Sequence, residues 1–305
     1  MLRRRFSRYL AYATLFALTS VGVAKSATDA SPGNADLGPS SHHGRTVKLI
    51  NYFVDRYHYR NTRLDDALSS TILDRYLRSL DSNRSYFLAQ DIDAFEALRY
   101  RLDDHLNDYE VEPFFDLFNT YRRRVLERTH FALALLDRPF DFSVDEYYRF
   151  DRTEAPWAVD QAELDDLWRR RVKNDYLILK LEGKAHEQII STLDQRYQQL
   201  ERRTLQITNQ DVFQTLVNAY VSAIEPHTGY FSPRATENFK IRMSLSLEGI
   251  GAVLQMQSEF TVVQRVVPGG PAELEGTLRA GDRIIGVGQG ADEVIVDVIG
   301  WRLDD

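Results

Sequence analysis

Residues 247–255 read LEGIGAVLQ, where Gly249 and Gly251 flank an isoleucine and an apolar, strand-like run follows at once. A glycine loop ahead of a strand exposes adjacent backbone N–H groups to one side, and converging amides bind an anion. The strand behind it, Ala252 to Met256, offers an edge to which an extended peptide can add by main-chain hydrogen bonds. Together these features suit the free C-terminus of a polypeptide. Gly249, Ile250 and Gly251 would take the terminal carboxylate, and Ala252, Val253 and Leu254 would pair with the tail. Leu247, with Ile250, would suit an apolar last side chain. Taken alone, two glycines read more readily as an ordinary turn, so the reading depends on their surroundings.

Other chemistry fails on inspection. His186-Glu187 begins like a zinc-binding HExxH, but Ile190 stands where the second histidine is needed. Asp81-Ser82-Asn83-Arg84-Ser85 opens like a calcium loop, yet Tyr86 replaces the glycine and Ile92 the closing glutamate. It reads instead as a helix-joining turn that caps the next helix. His42 and His43 fall in a leader segment and read as solvated. His227 lies near Ser222, Glu225, Thr228 and Ser232, but a hinge-loop histidine satisfied by backbone fits better than a Ser/His site. Lys180 and Lys184 read as surface residues. No metal site and no cofactor is expected, and no catalytic residue is assigned.

The chain has 305 residues, 43% hydrophobic and 27% charged, enough for one or two globular domains. Arg3, Arg4, Arg5 and Arg8 precede an uncharged run from Tyr9 to Ala24, and Ala24-Lys25-Ser26 supplies small residues for a cut before Ala27. Residues 1–26 are thus expected to be a secretory signal peptide, with an N-terminal membrane anchor as the alternative. No later stretch is apolar enough to span a bilayer. The formal net charge is −7, and loss of the five cations in residues 1–26 would leave −12. That argues against nucleic acid as a partner. With no cysteine, disulfides, N-terminal lipidation and a Cys nucleophile are excluded.

The elements that position the loop follow from periodicity. Residues 27–45, rich in Gly, Ser, Pro and Asp, read as a flexible leader. From 46 to 235 the pattern is helical. Val47, Leu49, Ile50, Phe53 and Val54 mark one helix; Leu68, Ile72, Leu73, Tyr76, Leu77 and Leu80 mark the next. Phe87 to Leu106 and Phe114 to Leu136 continue it, with Arg122 to Arg124 as a solvated stripe. Asp141 to Pro156 is aromatic-rich and irregular. Glu163 to Leu181, Glu187 to Leu200 and Asn209 to Ile224 complete the series, with Asn209 as the cap of the last. Residues 236–305 turn β-rich, punctuated by Pro268-Gly269-Gly270-Pro271, Gly281-Asp282 and Gly288-Gln289-Gly290. The fold class is therefore α+β multidomain: an all-α N-terminal domain followed by a β-rich one.

The order of loop, strand and VVPGGPAELEGTLRAGDRIIGVGQG resembles a PDZ domain. EPHTGYFSPRATENFKIRMSLSLEGIGAVLQ with VDVIGWRLDD is similar to the tail-specific, or carboxy-terminal processing, protease family, in its long periplasmic Gram-negative form. The resemblance runs from about Thr46 to the end. It implies an exported serine endopeptidase that holds apolar C-terminal tails in its PDZ domain and cleaves with a Ser/Lys dyad. It implies too that tail binding gates the active site. In that family the protease domain follows the PDZ domain, so the chain is expected to be an N-terminal fragment with a truncated PDZ-like domain, no catalytic domain and no activity of its own. Trp301 to Asp305 would then enter the helix forming the other wall of the peptide groove. Ser244 and Ser246 have no matching lysine. The expected partners are C-terminal tails of protein substrates, with a lipoprotein adaptor on the helical domain as a further candidate. The expected location is the periplasm. The alternative is a non-catalytic exported PDZ protein that binds C-terminal peptides.

Overall fold

The computed structural model describes residues 35–243, 249–257, 260–288 and 295–303. The expected signal peptide, residues 1–26, and Leu247, Ser244 and Ser246 lie outside the described residues. Eight helices precede the junction: α1 (His43–Tyr57), α2 (Asp66–Leu80), α3 (Ala89–Glu96), α4 (Leu102–Asn107), α5 (Glu112–Leu136), α6 (Gln161–Leu181), α7 (His186–Leu205) and α8 (Asn209–Ile224). Then come α9 (Pro233–Met243), β1 (Ala252–Gln257), β2 (Phe260–Val266), α10 (Pro271–Glu275), β3 (Arg283–Ile284), β4 (Gly286–Val287) and β5 (Val296–Asp297).

Two apolar cores hold the helical part together. In the first, the 3–4 spacing of α2 buries Leu68, Ile72, Leu73, Tyr76, Leu77 and Leu80 against Phe114, Phe115 and Phe118 of α5 and Val212, Phe213, Leu216 and Tyr220 of α8. The second gathers Leu164, Trp168 and Val172 of α6 with Ile189, Leu193 and Tyr197 of α7 and Ala132 and Leu136 of α5. Tryptophan in such a core needs an outlet for its N–H, and Trp168 donates to the Ser85 carbonyl at 2.6 Å. The aromatic segment 141–156 is irregular as its composition implies. It is pinned through Glu146 to Arg169 and Lys173 of α6. Hydrogen bonds from those two cations hold the Glu146 carboxyl down at about 2.

Several local expectations are corrected. His43 is not solvated: it opens α1, is fully buried and stacks on Phe213 at a centroid distance of 4.1 Å. The end of the leader is anchored, since Leu37 exchanges two hydrogen bonds with the Asn119 side chain and the Gly38 amide donates to Asn209. Asn209 is thereby occupied, and Thr208 caps α8 with Asp211 reaching back. The buried stripe of α1 is His43, Val47, Asn51 and Val54, while Leu49 and Phe53 are exposed. Two polar residues on the inner face concealed its phase. Arg122 to Arg124 is not a solvated stripe either. Arg122 is buried, and Arg124 forms a bidentate pair with Asp91 at 2.9 and 3.0 Å. Asp81 does organise a turn, but its carboxylate accepts from the Ser85, Tyr86 and Phe87 amides, ahead of α3.

The β-rich part is built differently. β1 pairs antiparallel with β2, and β2 with β3, so the sheet order is β1-β2-β3; β4 and β5 form a separate two-stranded ladder. Among its described residues only Val263 and Ala272 are buried apolar groups, while Ile285, Val287, Ile295, Val296 and Leu303 are exposed. A fully buried Val or Leu stabilises by about 1.5–3 kcal/mol, so this part has little core of its own to resist opening.

Two outcomes follow. Native-state hydrogen exchange is expected to release the β1, β2 and β3 amides well before those of α2, α5 and α8; simultaneous release would contradict the weak β core. Burial depresses the His43 pKa below its ordinary value of 6.5, and the neighbouring His42 adds to this. Protonation is then easier in the unfolded chain. Stability is therefore complete above about pH 6.5 and falls as pH drops below it. His43→Leu should flatten that acid limb of a stability-against-pH curve, and an unchanged limb would show His43 uninvolved.

Candidate functional site

The loop at 249–251 is shaped by where its carbonyls go. The Ile250 carbonyl accepts the Ala272 amide of α10 at 2.8 Å, and the Gly251 carbonyl accepts the Val267 amide at 2.7 Å. In a trans peptide the N–H points opposite to the C=O of the same plane, and no cis peptide is present among the described residues. The Gly251 N–H therefore points away from α10, and the Ala252 N–H away from β2. Among the described residues, no amide of Gly249, Ile250 or Gly251 donates to any partner. The Ile250 and Gly251 carbonyls are thus held inside, and the Gly251 and Ala252 amides that share their planes face outward, as anion binding requires.

The two glycines do different work. Gly251 has φ +76, and a Cβ there would sit 2.9 Å from Pro271 Cδ and 3.1 Å from the Gly270 Cα. The group brought close to its backbone is the chain's own Gly270-Pro271 turn, which starts α10. At Gly249 an added Cβ would meet nothing within 4 Å. Ile250, between them, is 53% exposed.

Behind the loop, β1 is an edge strand. Along a strand the hydrogen-bonding groups of alternate residues face opposite edges. Ala252 and Leu254 present theirs to the open edge, while Val253 turns its own toward β2, where it lies opposite Arg265. A cleft of about 500 Å³ runs along that edge, lined by Leu254, Gln255 and Met256 on one side. Its other wall, among the described residues, comes from the segment 300–303 and the end of α7. The described residues 301–303 form no helix, and Gly300, Arg302 and Leu303 lie beside Gln199, Arg202, Arg203 and Gln206 at the end of α7. Gln206 Nε2 donates to the Gly300 carbonyl at 2.8 Å, and Arg302 pairs with Asp211 at 2.6 Å. Burial raises the Asp211 pKa, but donations from Thr208 and Arg302 outweigh it and hold the carboxyl below its usual range.

The cleft residues on α7 were not found by sequence reasoning, which ended that helix at Leu200. Adjacent arginines at a helix end look like solvated charge, and no sequence signal marks the strand they face. The rejected candidates stay apart. Ser222 Oγ donates to the Ala219 carbonyl, His227 is exposed with its backbone amide on Glu225, and His186 bonds the Tyr176 hydroxyl. Lys180 lies over the Phe142 ring.

A helical domain followed by a glycine loop, an open-edged β1 and a short α10 defines a two-part chain that ends in a PDZ-like module. A family model described as the tail specific protease N-terminal domain matches residues 49–234, and a PDZ domain model matches residues 238–305. The chain belongs to the tail-specific protease family. It is 41% identical over 249 residues to the tail-specific protease of Haemophilus influenzae, a match that covers 81% of this chain and 36% of that protein. It therefore spans little more than a third of that relative's length. A crystal structure of the PDZ domain of a carboxy-terminal protease from Vibrio cholerae, in complex with peptide, is 62% identical over a match covering 19% of this chain and 58% of that one, with a TM-score of 0.18.

The glycine geometry yields a paired outcome. Gly251→Ala should destabilise the β-rich part by about 1–3 kcal/mol, from the φ strain and the contact with Pro271. Gly249→Ala should leave its unfolding unchanged, as denaturant melts followed through β-sheet circular dichroism would record. Equal effects would mean that the two positions are equivalent after all.

Proposed function

We propose that this chain is the substrate-recognising part of a periplasmic tail-specific serine endopeptidase, reached by way of the signal peptide at residues 1–26. In this reading the domains are a leader to residue 45, a helical domain over 46–235 and a peptide-binding PDZ domain over 236–305. Gly249, Ile250 and Gly251 receive the substrate's terminal carboxylate, and Ala252 and Leu254 supply the strand contacts, with Val253 holding β1 to β2. The last side chain is apolar, resting near Ile250 and Leu247. The observation that carries the reading is the direction of the loop's peptide planes, with carbonyls tied inward and amides turned out beside an open strand edge.

The helical domain serves as the rigid body on which this module is mounted, and as the surface for a lipoprotein adaptor. Exposed Tyr147 and Phe150 suit such contact, whereas Trp157 packs against the first core. Hydrolysis by a Ser/Lys dyad belongs to the longer protein. In this reading the chain by itself binds tails and leaves them intact.

Short fluorescent peptides ending in Val should bind with their free carboxylate and lose at least about tenfold in affinity when amidated. Gly249→Val should weaken binding while preserving the melt. Equal affinity for the acid and the amide would end the carboxylate-capture reading, and cleavage of the peptide by the pure chain would end the claim of inactivity.

A further inference from the structure

The wall facing the open edge of β1 is cationic. Arg202 and Arg203, in the last turn of α7, line the cleft opposite Leu254, Gln255 and Met256. Several arginines of the helical domain are matched by carboxylates: Arg99 by Glu96 and Asp74, Arg124 by Asp91, Arg128 by Asp165, Arg169 by Glu146. Among the described residues neither Arg202 nor Arg203 has such a partner, and Arg203 is exposed. Two adjacent cations with no carboxylate partner among the described residues, in a chain of net charge −7, leave a local positive field beside a strand edge that has no neighbouring strand among those residues.

The geometry also sets which part of a ligand would meet them. A terminus seated at 249–251 lies at the start of β1, so the tail must run along the strand toward Met256, antiparallel to it. At about 3.3 Å per residue, the positions two to four before the tail's end lie beside Leu254 to Met256. That is the stretch of the cleft walled by α7.

We propose that Arg202 and Arg203 form a charge-selecting subsite that favours tails with Asp or Glu two to four residues before the C-terminus. The subsite rests on the tail-capture reading given above and extends it from the last residue to the segment upstream. It places part of the specificity on the helical domain, so that both domains read one tail. Arginine suits the task because its planar fork takes a carboxylate in two hydrogen bonds. A purely structural alternative exists: cations in the last turn of a helix offset its negative end. That role affects helix stability and is indifferent to the charge of any peptide.

The test uses the full chain and fluorescent peptides that end in Val with a free carboxylate and carry Asp, Asn or Lys at the third position before the end. The Asp peptide should bind about threefold to tenfold more tightly than the Lys peptide, as expected for partly exposed ion pairs. The preference should shrink as salt rises from about 50 mM to about 500 mM. Arg202→Gln with Arg203→Gln should abolish the preference, and Arg202→Glu with Arg203→Glu should reverse it. Carboxylate-dependent binding that ignores peptide charge, or a preference that survives the charge reversal, overturns the subsite while leaving tail capture intact. Binding that is equal for acid and amide peptides overturns tail capture and the subsite with it. The reversal readout distinguishes peptide recognition from a role in helix stability, since a helix-capping arginine gives no charge preference to lose.

Discussion

The orientation of one peptide plane, between Ile250 and Gly251, decides whether the glycine loop can serve the proposed recognition of a terminal carboxylate. Its carbonyl is held by the Ala272 amide, and the planarity of the peptide sends the Gly251 N–H the other way. The neighbouring Gly251 carbonyl is held by Val267. Free amides on a loop are ordinarily a cost; here they remain because the acceptors that share their planes are committed to α10 and the turn before it. The arrangement depends on a left-handed residue in contact with Gly270-Pro271, which glycine alone fits without strain. The glycine of the loop that determines its shape is thus Gly251, while Gly249 leaves room on the outer side.

The stability behind that loop is unevenly distributed. The helical domain rests on two aromatic-rich cores, in which the buried Tyr76 hydroxyl donates to the Phe114 carbonyl and the Trp168 indole N–H to the Ser85 carbonyl. The β-rich part buries little of its own apolar surface. It gains from contacts with the helical domain: Gln206 on Gly300, and Arg302 on Asp211. Asp211 does two jobs, closing the capping box of α8 with Thr208 and receiving Arg302. Loss of that carboxylate would thus loosen a helix start and an interdomain tie together. A recognition module with a weak core and a firm mount is suited to movement when a ligand supplies the missing neighbour strand, because ligand contacts then form a large share of its stability.

The cleft itself is a product of both domains. β1 contributes hydrogen-bonding groups that any extended peptide can use, and these carry no preference for side chains. The end of α7 contributes charge, which does discriminate. In the proposed reading main-chain pairing would provide affinity for tails in general, while the arginines would sort them, a division common where a strand edge is the binding surface.

Much of this was legible without coordinates, and the exceptions have a common cause. Leu68, Ile72, Leu73, Tyr76, Leu77 and Leu80 announced α2, because burial of one face repeats with the helical period. The turn at Pro268-Gly269-Gly270-Pro271 that leads into α10 was equally plain, since glycine and proline restrict the backbone locally. The errors fall where a residue's surroundings lie far along the chain. His43 looked solvated until Phe213 stacked on it, Arg124 looked like surface charge until Asp91 met it, and Asn209 looked like a cap until Gly38 occupied it. The sequence by itself determined the order of elements, the two-part architecture and the glycine loop, for these follow from local backbone preference and hydrophobic period. Only the tertiary structure decided which way the loop's amides point and which helix walls the strand edge, because each depends on contacts between segments whose separation in sequence conveys nothing about their distance in space.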